Sequence, residues 1–136
     1  MHESTDDVAA DWWEHARLAK GTRDERKALD DGHPPRVNAA YQFVADKIEV
    51  GTPDVLDLIA SLIDSAPDDQ GTLAVGAGPL EDLIHAHGDR LVLEIETRAR
   101  RSPEFARALS SVWVEAGDLD PETRDRLAPW VSRKPL

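Results

Sequence analysis

The chain has 136 residues with a formal net charge of -11, 40% hydrophobic and 32% charged residues, and no cysteine. That length supports one hydrophobic core, and the apolar fraction is too high for a disordered chain. The missing cysteine excludes disulfides and thiolate metal sites, and the strong negative charge disfavours phosphate backbones and anionic lipid surfaces as partners.

At the amino end, Asp6-Asp7 followed by the stripe Val8, Trp12, Ala16 and Ala19, and then Gly21, predicts a helix over residues 5–20. After Pro34-Pro35, the residues Val37, Ala40, Tyr41, Val44 and Ile48 form a second apolar face. A capping residue, a proline and an acid then recur at Thr52-Pro53-Asp54, Ser102-Pro103-Glu104 and Asp120-Pro121-Glu122, with Gly78-Pro79 and Glu81 as a looser version. Each predicts a helix start: proline at the first helical position loses no needed hydrogen bond, the preceding side chain accepts a free N–H, and the acid meets the positive end of the dipole.

The helix expected over 53–65 buries Val55, Leu56, Ile59, Leu62 and Ile63 and turns Asp54, Asp57, Ser61 and Asp64 outward. "TLAVGAG" predicts a short helix ending at glycine, and Gly78-Pro79-Leu80 a tight corner between helices. Beyond it, two helices are expected, Pro79 to His87 and Asp89 to Arg101, meeting where a left-handed Gly88 closes the first and Asp89 caps the second. Leu80, Leu83, Ile84, Leu91, Val92 and Ile95 are to be buried between them, Phe105 and Trp113. Residues 91–97 also alternate as a strand would, but no second β-rich run exists to pair with them, which favours the helix. Phe105, Ala108, Leu109, Val112 and Trp113 give the next face.

The expected fold is all-α, one compact domain of seven or eight short helices. A faint echo between "VLDLIASLIDSAPDD" and "LVLEIETRARRSPEF" adds stacked helix pairs, as in HEAT repeats, as one arrangement of them. No apolar run is long enough to span a bilayer, and Met1 to Asp11 is acidic where a secretory leader would be basic and then apolar, so a cytoplasmic location is expected. The preference for arginine over lysine, with frequent alanine, suggests a bacterial coding bias.

Candidates for chemistry are few. Gly76-Ala77-Gly78 precedes Pro79, which lacks an N–H, and Glu81, which repels an anion, so a phosphate cradle is disfavoured. His85 and His87, two positions apart, face different sides of a helix and cannot share a metal; His85 is expected to be exposed or at a helix end, and His87 to sit beside the negative C-terminus that Gly88 closes. Asp11, Glu14 and His15 lack a nucleophile or an oxyanion donor. Arg98, Arg100, Arg101 and Arg107 cluster around Ser102-Pro103, where arginines complement a helix end and Arg98 and Arg101 can pair with Glu94 and Glu104. No catalytic residue, metal or cofactor is therefore assigned. Trp12 and Trp13 are adjacent, so at least one is expected to be partly exposed and available as a partner-binding anchor.

Four blocks carry a resemblance: Gly78 to Leu83, His87-Gly88, Ile95-Glu96 with Ala99-Arg100, and Phe105, Ala108-Leu109, Val112-Trp113. Over about residues 37–116 the chain resembles a small bacterial domain family of unknown function, with the 5–20 helix ahead of that core and a divergent segment at 117–136. The resemblance implies an all-helical cytoplasmic domain and brings no catalytic residue. The function expected is an acidic protein-binding module, most concretely an immunity-type or antitoxin-like inhibitor of a basic protein. Its candidate partner-binding residues are Trp12, Trp13, Asp54, Asp57, Asp64, Asp68 and Asp69. A small scaffold acting by helix packing is the alternative, and a helical enzyme the third reading.

Overall fold

The computed structural model describes residues 5–115 and 117–133. Among these the chain forms α1 (Thr5–Ala19), α2 (Arg23–Asp30), α3 (Pro35–Val50), α4 (Val55–Asp64), α5 (Asp69–Val75), α6 (Glu81–Arg101), α7 (Pro103–Leu109) and α8 (Pro121–Leu127). Two two-residue strands, β1 (Trp113–Val114) and β2 (Ser132–Arg133), pair in parallel, Trp113 opposite Ser132. The fold is all-α.

Local signals account for several boundaries. Thr22 closes a capping box on α2, accepting from the Glu25 N–H while the Glu25 carboxylate accepts from the Thr22 N–H. Ser102 Oγ accepts from the Phe105 N–H at 3.1 Å and Asp68 from the Gly71 N–H at 2.7 Å, so α7 and α5 are capped by side chains. At Thr52-Pro53-Asp54 the expected cap does not form: the Thr52 hydroxyl donates to the Asp54 carboxylate, and α4 opens after a turn of backbone bonds at Val55. The Asp120 side chain likewise accepts no N–H of α8.

The largest difference from expectation lies in the middle of the chain. Residues 69–101 form one uninterrupted helical run, in which a π-helical turn over Gly76–Leu80 joins α5 to α6. Gly78-Pro79 is not a helix start and His87-Gly88 is not a corner. The π turn follows from tertiary contact: a Cβ on Gly76 would overlap the Ala108 carbonyl of α7, so the run passes flush against that helix. Ser111 Oγ, just beyond α7, donates to the Leu73 carbonyl at 2.6 Å and so ties α5 to the segment after α7.

Gly88 also serves an approach rather than a turn. It does not have a positive φ, and a Cβ there would lie 3.1 Å from Leu119 Cδ2, which packs from the segment leading to α8. Asp89 caps nothing in α6; it accepts the Asp120 N–H at 3.0 Å and fixes the start of α8.

The core lies where α1, α4, α6 and α7 meet. Ile59, Leu62, Leu80, Leu83, Ile84, Leu91, Ile95 and Phe105 are all buried there, each contributing about 1.5–3 kcal/mol by leaving water. Leu58 joins Val55, Leu56, Ile59, Leu62 and Ile63, so α4 is buried on more than the expected face. On α1 the buried residues are Val8, Ala9, Asp11 and Leu18, and Ala19 of the expected stripe is exposed. Tyr41 and Trp113, expected inside, are 47% and 41% exposed.

The weak internal echo corresponds to real geometry. α4 with α5, and the end of α6 with α7, are two helix–corner–helix units, and α5 packs against α7. Gly51, just ahead of α4, meets Arg90 (Nη2 to carbonyl, 2.7 Å), and Asp57 pairs with Arg98, so α4 and α6 run in the same direction.

Candidate functional site

Between α4 and α6 lies an open groove of about 660 Å³. Its apolar lining is Pro53, Leu56, Ala60 and Ile63 from the α4 side, Leu93 from α6 and Phe105 from α7. The polar lining is Asp64 opposite Glu94, Thr97, Arg98, Arg101 and Ser102. Leu93 of this lining is 58% exposed. At the rim Arg98 reaches across to Asp57 and ties the two walls together. Among the described residues Asp64, Glu94 and Arg101 have no ion pair.

The structure spreads the expected partner-binding residues along α4 and its far corner. Asp54 pairs with Lys47 at 3.4 Å, and its carboxyl is held below the ordinary aspartate range chiefly by the Thr52 hydroxyl. Asp57 pairs with Arg98, Asp69 with Arg107 at 2.7 Å, and Asp68 is the cap of α5. All five acids are exposed. Trp12 and Trp13 are both half-buried, edge to face at 4.9 Å, and Trp13 Nε1 donates to the Leu62 carbonyl at 2.8 Å. Trp13 also lies over Gly71, which brings it beside Asp68 at the far end of α4.

The other candidates resolve into structural roles. His85 Nε2 donates to the Trp113 carbonyl at 2.8 Å, while Glu81, one turn earlier on α6, accepts the Trp113 N–H at 2.6 Å. The two side chains share a helix face as their spacing implies, and what they hold is the peptide of β1. His87 Nε2 bonds the Glu49 carbonyl at 2.9 Å, and Arg90 lies 3.1 Å from its Nδ1. A donor at Nδ1 leaves the Nε2–H tautomer to donate to Glu49, and the histidine binds the C-terminal end of α3. Asp11 pairs with Arg36 at 3.0 Å and Glu14 with Arg17, while His15 stacks on Tyr41 at 4.1 Å with its pKa lowered by burial. These three do not converge on one point.

Sequence reasoning missed Glu96. It is 5% exposed and bracketed by Arg126 at 3.0 Å and Arg100 at 3.4 Å, which secures α8 to α6. A buried carboxylate is tolerated only when its lone pairs and charge are met in this way. The spacing Ile95-Glu96-x-x-Ala99-Arg100 holds the signal, because Glu96 lies between two core positions and four residues before an arginine. Of the arginines expected to pair with Glu94 and Glu104, Arg98 pairs with Asp57 instead and Arg101 has no ion pair among the described residues.

Fold and site together define a small all-α domain with an open two-helix groove, and among the described residues no group of three or more His, Cys, Asp or Glu could hold a metal ion. No helix among them is long and apolar enough to cross a membrane. Residues 32–134 match the model of a family of unknown function (DUF6869), and the chain belongs to that family. The match runs from just before α3 through α8 to the end of β2, taking in most of the segment that looks divergent by sequence and leaving α1 and α2 outside. Searches of curated proteins and of solved structures find no match.

Proposed function

We propose that the protein is an acidic protein-binding module whose partner is a basic protein, in the manner of an immunity protein or antitoxin that blocks a cationic toxin. The observation that carries this reading is the exposure of Asp54, Asp57, Asp64, Asp68 and Asp69 along α4 and its corner, in a chain of net charge -11. Such a surface raises the encounter rate with a cationic protein and repels anionic competitors. Asp57 and Asp69 sit in exposed ion pairs, which in water are worth at most about 1 kcal/mol, so an incoming lysine or arginine can exchange with the resident partner. Asp64 and Glu94 need no exchange. Trp12 keeps part of its ring in solvent beside this surface and serves as an apolar anchor, whereas the Trp13 indole N–H is committed to α4.

A basic product of an adjacent gene is the partner to test. Calorimetric titration of the two purified proteins should show affinity that falls steeply from low to high ionic strength, and that falls again when Asp54, Asp57 and Asp64 are replaced by asparagine. An affinity that does not change with salt would sink the reading. A second reading, a scaffold that assembles by helix packing, is supported by the exposed Phe43 and Val50 on the outer side of α3. Concentration-dependent self-association lost in Val50→Asp would favour it.

A further inference from the structure

We infer that the α4/α6 groove is the docking site for one amphipathic helix of the partner, with an apolar stripe flanked by lysine or arginine; this rests on the reading above that the partner is a basic protein. Three observations lead there. The first is the floor, where the exposed Leu93 and the half-buried Ala60 lie over the buried side chains of Leu56, Ile63 and Phe105 in one open channel. From Leu56 to Asp64 this wall runs about 12 Å at 1.5 Å per residue, enough for roughly two turns of helix laid alongside it.

The second is the nature of the walls. Both are α-helices whose backbone groups are used internally, so the groove offers no strand edge for main-chain pairing. An extended segment lying on the apolar floor would bury N–H and C=O groups without partners, while a helix satisfies its own. Side-chain recognition of a helix is therefore the mode these walls allow.

The third is charge. Of the charged lining residues, Arg98 is matched by Asp57 at the rim, which leaves Arg101 against Asp64 and Glu94 within an acidic molecule. Cationic flanks on the incoming helix meet those two carboxylates, and the alkyl stems of lysine or arginine extend the apolar contact. Arg101, at the same end of the groove as Asp64, can take one acceptor at the end of the docked helix.

The test uses the full chain and three synthetic peptides: a helical peptide with leucines at i, i+3, i+4 and i+7 and lysines on the flanks, its glutamate counterpart, and a scrambled lysine peptide. Backbone amide shifts are followed in two-dimensional NMR, and affinity by fluorescence anisotropy. The leucine–lysine peptide should shift Ala60, Ile63, Leu93 and Thr97 and bind at least about tenfold more tightly than either control. Leu93→Asp, at an exposed position that leaves the core intact, should remove at least about tenfold of that affinity, and Asp64→Lys with Glu94→Lys a similar amount. Tighter binding of the glutamate peptide would overturn the inference by showing that Arg98 and Arg101 set the preference. Equal, salt-sensitive binding of the lysine peptide and its scramble, with shifts spread over Asp54, Asp68 and Asp69, would overturn the groove while leaving the acidic-module reading standing. Absence of binding by every peptide, with the chain folded, would overturn the groove, and the adjacent-gene titration then decides the module reading separately.

Discussion

Gly51 and Gly88 each follow an amphipathic helical stretch, and the chain treats them in opposite ways. At Gly51 the backbone turns left-handed, φ 70°, and α3 ends; at Gly88 the helix continues through the residue. Two of the prolines preceded by small residues diverge in the same manner, since Ser102-Pro103 opens α7 and Gly78-Pro79 lies inside a helical run. In each pair the local chemistry is similar and the surroundings differ. Gly51 is clamped from outside by His87 and Arg90 on α6, whereas Gly88 is a gap into which Leu119 fits. A breaker ends a helix when its freed backbone groups find partners in the turn. It is carried through when a neighbouring element packs close against the run, as α7 does at Gly76 and Leu119 at Gly88.

Substitution of these positions breaks or sharpens the contrast. The largest effect is expected at Gly76, where a methyl group meets the immovable Ala108 backbone as well as Ser111 Oγ, so Gly76→Ala should cost about 3 kcal/mol or more in chemical denaturation. Next is Gly51→Ala, which combines a left-handed backbone with displacement of the His87 ring and should cost about 2 kcal/mol. A thermal midpoint unchanged in either variant would contradict the role given to that glycine.

The two proline sites separate by sign. Ser102→Ala removes the cap of α7 and should cost about 1 kcal/mol. Gly78→Ala enters open space within a right-handed helical backbone, and should stabilise the protein by about 0.5–1 kcal/mol by restricting the unfolded chain. Destabilisation by Gly78→Ala would mean that the π turn needs that glycine.

The smallest expected effect concerns His15, which stacks on Tyr41 of the same α3 that ends at Gly51. Burial lowers its pKa from the ordinary 6.5, so in the window between the two values the unfolded chain binds the proton more readily. The contribution of His15 to stability should thus be fully present above 6.5 and decline as pH falls through and below that value. Comparing the pH dependence of denaturation midpoints for the natural chain and Tyr41→Ala should show this slope flattened in the variant, where the histidine is more hydrated.

The sequence by itself determined the all-α class, the faces of α3 and α4 apart from Tyr41 and Leu58, the cap at Ser102 and the helical state of residues 91–97, because these depend on periodicity and on groups within a few residues of each other. It also held the acids of α4, which are exposed whatever packs beneath them. Only the tertiary structure decided that residues 69–101 form one run, that Gly76 and Gly88 exist for close approach, and that Glu96 is buried between two arginines. The groove was likewise beyond local reading, because its floor joins Leu56 and Ile63 to Leu93 and Phe105, which periodicity places in different helices. A helix face can be read from spacing alone, but the space left between two faces depends on everything that holds them apart.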